Sequence, residues 1–392
     1  MRILFVSLLV FTLSWGSFAD TDELNRKVSL NQLINGTLER YHYNDQEIDD
    51  SYSKRVFTLF LNRIDPNKHF FTGAQVTELT AFEYKVDNDI RQNTFHFYDL
   101  CLLRLKEQIQ FTSTIYPTLL ASPINLDAVA TFETDTEKKD YVKHNTDLTS
   151  RWKKTIQLQV AQHYISLYKE AYPSNNALKI EPKLEEKARA KTKKDLDRRF
   201  KRLLRQTDSD YFSIYLDCFT NAFGPHTGYL PPAEKEDFDI NMSGQLEGIG
   251  AVLREEDGYI KVVEIIPGSA SWRQGILKAE DLILSVAQPN QEPISIVETP
   301  VRDAVKLIRG RKGTTVILSI KKPDGITQTI EIVRDVVVIK STYAKSGVFT
   351  LNNTAYGYIG LPSFYRDFDN SSNRNAAGDI KQALKLLNKQ NV

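Results

Sequence analysis

The sequence predicts an α+β multidomain protein: a helical N-terminal domain, a smaller β domain, and the opening strand and helix of an α/β core. Three observations carry this. Apolar residues recur at helical spacing to about residue 235, and from about residue 240 the period falls toward two. Past Val336 a short apolar strand, Tyr356–Leu361, is followed by a polar loop (Asp369–Asn375) and an amphipathic helix, Ala376–Asn388. The expected divisions are 1–19, 20–235, 240–333 and 336–392.

The length, 392 residues, suits two or three domains. With 51 basic and 50 acidic side chains the net charge is +1, so no global field points to nucleic acid or an acidic partner. Residues 1–19 read as a cleaved secretory signal. Arg2 supplies the charge, Ile3–Trp15 the apolar run, and Ser17 and Ala19 the small residues before a cut at Asp20. No later run is apolar enough to form a stable membrane span, so an exported, periplasmic protein is expected. Cys101 and Cys218 both sit among apolar residues, which favours buried free thiols, while export permits a disulfide.

In the helical part, helices are expected over Thr21–Leu38, Tyr52–Ile64 (stopped by Asp65-Pro66-Asn67), Ala74–Ile90, Phe95–Ile115 (ended by Pro117) and Trp152–Tyr172 (ended by Pro173). Lys183–Arg205 holds eleven Lys or Arg over an apolar stripe of Leu184, Ala188, Leu196, Phe200, Leu203 and Leu204. It reads as a packed helix with a solvated basic face, against the sharper reading of a surface for an acidic partner, nucleic acid or a membrane. Asp208–Ala222 is a further helix, and Gly224–Pro232 a rigid turn. His226 in that turn reads as a packing residue. The six histidines (42, 69, 96, 144, 163 and 226) show no metal-ligand spacing, and Gly310-Arg-Lys-Gly-Thr-Thr lacks phosphate-loop order.

The β part begins with Met242–Leu253, Met-Ser-Gly-Gln-Leu-Glu-Gly-Ile-Gly-Ala-Val-Leu. Gly244, Gly248 and Gly250 permit tight turns, and the apolar run after them reads as a strand. A glycine loop entering a strand can aim several N–H groups at one carboxylate, with a peptide tail adding alongside the strand. The plain alternative is an ordinary turn. Tyr259–Ile265 follows across Glu255–Gly258. Ser269 caps a short helix, Ala270–Gln274, and Leu282–Val286 is a strand. Val301–Ile308 is a helix, and Thr314–Ile320 and Thr327–Val333 pair across Pro323-Asp324-Gly325.

This order, glycine loop first and helix near the end, resembles a PDZ domain of the bacterial type. Gly-Pro-His-Thr-Gly-Tyr-Leu (224–230), Leu-Glu-Gly-Ile-Gly-Ala (246–251), Pro-Gly-Ser-Ala (267–270) and Gly-Tyr-Ile-Gly-Leu-Pro-Ser-Phe (357–364) stand together as in the tail-specific proteases, the periplasmic C-terminal-processing serine peptidases. Arg40–Tyr43 and Asp49–Phe71 resemble their helical domain. The resemblance implies a serine endopeptidase with a Ser–Lys dyad and no cofactor. Its PDZ domain would hold apolar C-terminal tails of exported proteins, and an adaptor protein would dock on the helical domain.

The expected tail site comprises Leu246, Gly248, Ile249, Gly250 and Ala251 as the carboxylate loop and Val252 and Leu253 as the edge strand. Val301, Ala304, Val305 and Ile308 line the apolar pocket. No catalytic residue is assigned within 1–392: Ser363 falls in an early strand-to-loop motif, and neither nucleophile nor lysine of the dyad is found. Two alternatives therefore stand beside the peptidase, a non-catalytic tail-binding PDZ protein and a chain that folds poorly because its last strand is unpaired. Gly224, where the family usually has Asp, and Glu280-Asp281, where Gly-Asp is usual, depart from the pattern.

Overall fold

The computed structural model describes residues 16–128, 131–173, 179–370 and 373–390. The expected export signal lies outside the described residues over 1–15. The chain divides into two compact units, 1–230 and 231–392.

The first unit is helical. It contains α1 (Gly16–Tyr41), α2 (Asp50–Ile64), α3 (Gly73–Leu79), α4 (Val86–Gln92), α5 (His96–Leu119), α6 (Asn145–Ala171), α7 (Pro182–Arg205) and α8 (Asp208–Phe223). Sequence signals account for the ends. Asp49 caps α2 by accepting from Tyr52 N–H, and Thr72 with Gln75 and Thr207 with Asp210 form capping boxes. One aromatic-rich core unites the helices, with Tyr52, Phe60, Phe97, Tyr98, Trp152, Tyr215 and Phe219 fully enclosed. Cys101 and Cys218 are both buried in it as free thiols.

Two helix expectations are corrected. Ala74–Ile90 is not one helix: a short 3₁₀ turn at Thr80–Phe82 and a bend at Lys85 separate α3 from α4. The break lets Asp87, buried, take the Ser53 hydroxyl at 2.7 Å while its N–H donates back to Ser53 Oγ at 2.9 Å. The helix after Phe95 is not ended by Pro117. α5 runs through it to Leu119, because a proline in the last turn removes only one backbone bond, while Tyr116 and Leu120 stay buried.

The two motifs at the ends of this unit meet. His42 Nε2 lies 2.8 Å from Thr227 Oγ1, Asn221 donates to Thr227 O, and Tyr229 N–H donates to Asp217 Oδ1 at 2.9 Å. His226 is exposed rather than packed, so the contact expected of it belongs to Thr227. Gly224 is extended, with φ −174, and any residue fits that conformation.

The second unit opens with α9 (Pro232–Ser243), which has no buried residue and hence no apolar stripe to announce it. β1 (Gln245–Gly248) pairs antiparallel with β8 (Asp335–Val338), Leu246 opposite Val337. Between them lie β2 (Ala251–Glu256), β3 (Tyr259–Ile265), α10 (Ala270–Gln274), β4 (Leu282–Ala287), β5 (Ile294–Ser295), α11 (Val301–Ile308), β6 (Thr315–Lys321) and β7 (Thr327–Val333). The sheet runs β2-β3-β4-β6-β7, with β5 beside β4, so β2 is an edge strand. Asp257 and Gly258 both have positive φ, as a tight hairpin turn between twisted strands requires. The sheet and α11 close over a core that includes Ile249, Ile260, Val262, Ile283, Leu318 and Ile332.

After β8 the chain forms an antiparallel hairpin of β9 (Lys345–Leu351) and β10 (Thr354–Gly360), then α12 (Ala376–Lys389). The expected strand near 356–361 is thus the second arm of a hairpin whose first arm went unread. Among the described residues no helix is long and apolar enough to cross a membrane.

Candidate tail-binding groove

The glycine stretch is built in two halves. Gly244 caps α9 with φ +69, and a side chain there would meet the Tyr343 ring at 3.1 Å. The Tyr343 hydroxyl donates to Ser243 O (3.0 Å) and Gly244 O (3.2 Å), which pins the entry. Gly248 does not turn the chain. It ends β1 without positive φ, and Arg309 Cγ lies 3.9 Å from where its Cβ would stand.

Gly250 is the turning residue. Its φ is +78, and an added Cβ would fall 2.0 Å from Ser269 Cβ and 2.4 Å from Ser269 Oγ. Neither the conformation nor the space admits a side chain. The carbonyls on either side of the Gly250 nitrogen and α-carbon are committed. Ile249 O accepts from Ser271 N (2.8 Å), and Gly250 O accepts from Ile266 N (2.9 Å) and Ser269 Oγ (3.2 Å). In a trans peptide the N–H points opposite to its carbonyl. Gly250 N–H and Ala251 N–H are therefore turned away from those partners. Among the described residues nothing accepts a hydrogen bond from Ile249 or Gly250 N–H.

β2 continues from this loop with one side unpaired. Ala251 and Leu253 are half-buried and Val252 is exposed, with a bulge between Val252 and Leu253. α11 lies beside β2 and β4. Its apolar residues separate by depth. Ala304 (0%) and Ile308 (2%) are closed in the core with Ile249, so they are not groove surface, while Val301 and Val305 are half-buried. Leu246 is half-buried in β1, opposite Val337.

Sequence reasoning missed three supporting residues. Ser269 braces Gly250 while accepting from Trp272 N–H at 3.3 Å to cap α10. Tyr343 fixes Gly244 from a hundred residues away. Arg309, next to Gly248, is held by Asp237 (3.0 Å) and Glu236 (3.3 Å) of α9. Only the Ser269 signal, a cap residue in Pro-Gly-Ser-Ala, was readable locally. Glu280 has φ +74 and donates its N–H to Val262 O. The buried Asp281 carboxylate after it takes Lys322 Nζ and Lys278 N–H, each at 2.8 Å. Among the described residues no group of three or more His, Cys, Asp or Glu is placed to hold a metal ion.

A helical unit followed by a PDZ-type sheet with an open β2 edge defines a class, and sequence comparison identifies the family within it. The tail-specific protease N-terminal domain matches residues 34–233, and the PDZ domain matches residues 237–321. The chain belongs to the tail-specific protease family. A tail-specific protease of Haemophilus influenzae is 27% identical over 84% of this chain and 45% of its own length. The carboxy-terminal processing protease CtpA of Bacillus subtilis is 31% identical over 36% of this chain and 28% of its own. The chain thus spans less than half the length of these relatives. A solved PDZ domain of a carboxy-terminal protease from Vibrio cholerae, in complex with peptide, is 33% identical and covers 24% of this chain and 97% of its own, with a TM-score of 0.23.

Proposed function

We propose that this chain supplies the substrate-recognition portion of a tail-specific serine endopeptidase that captures proteins by apolar C-terminal tails and degrades or processes them. The observation that carries the reading is the Gly250 loop. It places unaccepted N–H groups at the head of an edge strand, with half-buried Val301 and Val305 alongside. A tail would add antiparallel to β2, its carboxylate taking charge-assisted bonds from the loop amides and its last side chain resting on the valines. In this reading 20–235 is the helical domain, 240–333 the PDZ domain and 336–392 the opening of a peptidase core. Residues 1–19 direct export to the periplasm, the tails belong to exported proteins, and an adaptor engages the helical domain. Residues 1–392 are assigned no catalytic group, so the chain by itself binds tails without cutting them.

The test is titration of the 392-residue chain with an apolar hexapeptide as free acid and as amide, with cleavage followed in parallel. We expect a Kd on the order of micromolar for the acid, at least tenfold weakening for the amide, and intact peptide throughout. Equal affinities would refute the carboxylate loop. Cleavage would overturn the assignment of no catalytic group.

A further inference from the structure

We propose that the helical unit carries a second ligand pocket, one that takes a small apolar group ending in a carboxylate. It lies within residues 1–230 and does not depend on the groove beside β2.

A cavity of about 240 Å³ opens between the end of α2, α5, α7 and α8. At roughly 30 Å³ per water that is space for about eight waters, or one large apolar residue. Phe70, Leu105, Leu203 and Tyr211 line it, and Arg63 and Arg199 bring charge to it. Two of the charges around it are already used. Arg63 is held by Asp217 and by Asn221 Oδ1. Asp65 accepts from the N–H groups of His69 (2.7 Å), Phe70 (3.0 Å) and Phe71 (3.0 Å).

Arg199 is not used. Its guanidinium lies 5.6 Å from the centre of the Trp152 ring, and it forms no hydrogen bond or ion pair with any described residue. Burial pushes its pKa down, yet a guanidinium keeps its charge. A guanidinium at the mouth of an apolar cavity with no anion bonded to it marks a place for one. A carboxylate fits the planar fork of an arginine. The apolar walls ask for a hydrocarbon body. Asp65 on the same wall opposes a ligand of higher charge, which favours a monoanionic carboxylate over a phosphate.

The experiment is photolabelling of the full 392-residue chain with N-acetyl-photoleucine, its amide, and an apolar hexapeptide ending in photoleucine, with the crosslinks mapped by mass spectrometry. We expect saturable labelling by the acid within 63–70 and 199–214, and at least tenfold less by the amide. Arg199→Met should lower labelling there at least tenfold and leave labelling within 249–308 unchanged, and Arg199→Lys should recover part of it. Labelling of this pocket by the hexapeptide makes a polypeptide tail the source, and labelling by the small acid alone makes it a free acid. Crosslinks confined to 249–308, equal labelling by acid and amide, or an indifferent Arg199→Met would overturn the proposal. If Arg199→Met does not fold, the acid and amide on the unaltered chain decide it.

Discussion

The sheet of residues 251–333 and the hairpin and helix of 345–389 are both rich in apolar residues, yet the first closes a large core and the second only a cluster around Tyr343, Tyr365 and Ala376. β6 buries Val316, Leu318 and Ile320 in strict alternation. β9, of the same length, buries nothing. On β10, Gly357 meets Leu387 of α12, so one face of the hairpin is covered. The neighbours that point the other way, Tyr356 and Tyr358, are 45% and 57% exposed. The outer side of α12 leaves Leu384 and Leu386 at 50%. Apolar content therefore does not make a core; enclosure by packed neighbours does. The sheet is enclosed with α11 and keeps this core while its β2 edge stays unpaired.

The largest expected effect tests that closure at its tightest point. Gly250→Ala adds a left-handed side chain on top of Ser269 and should cost about 3 kcal/mol or more. Gly268 has a similar φ, +83, with nothing within 4 Å of its Cβ position, so Gly268→Ala should cost only about 1–2 kcal/mol. Urea unfolding of both chains checks this. Equal losses would mean that backbone conformation, not the Ser269 contact, limits the loop. Next, amide exchange should separate the two regions. β6 amides should exchange about a hundredfold or more slower than those of β9 and β10, because few buried contacts oppose local opening of the hairpin. Matching protection would erase the contrast.

The sheet was legible because period two and turn chemistry agree: Asp257-Gly258 and Asp324-Gly325 stand where hairpins turn. α9 was not, because it buries no residue, and β1–β8 was not, because its pairing joins 245–248 to 335–338 across the whole sheet. The break between α3 and α4 follows from a tertiary contact, Ser53 to Asp87, that local periodicity cannot hold. In α11 the apolar stripe was legible but not its depth, since Val301, Ala304, Val305 and Ile308 form one stripe and only packing separates core from surface. The helical cavity was beyond reach, because Arg63, Leu105, Arg199 and Tyr211 converge only in the folded unit.

That difference in depth gives the third prediction. Val305→Asp should weaken binding of an apolar tail at least tenfold, about 1.4 kcal/mol, with a small change in unfolding midpoint. Ala304→Asp buries a carboxylate in the core and should unfold the sheet instead. Fluorescence titration and thermal melts of the two chains tell the cases apart. Tail binding unaffected by Val305→Asp would remove α11 from the groove.

The smallest effect asks whether the two regions are energetically separate. Glu280 holds φ +74 without being glycine, which costs a β-carbon-bearing residue about 1 kcal/mol. Glu280→Gly should return that amount. The pair it forfeits, Glu280 to Lys261 at 2.7 Å, is at the surface and adds little, and Lys261 keeps Glu256 at 3.0 Å. The substitution should slow exchange of the globally protected β6 amides about fivefold and leave β9 and β10 as they were. Slower exchange in both would mean that the hairpin opens only when the sheet does, and the contrast in burial would not be a contrast in cooperativity.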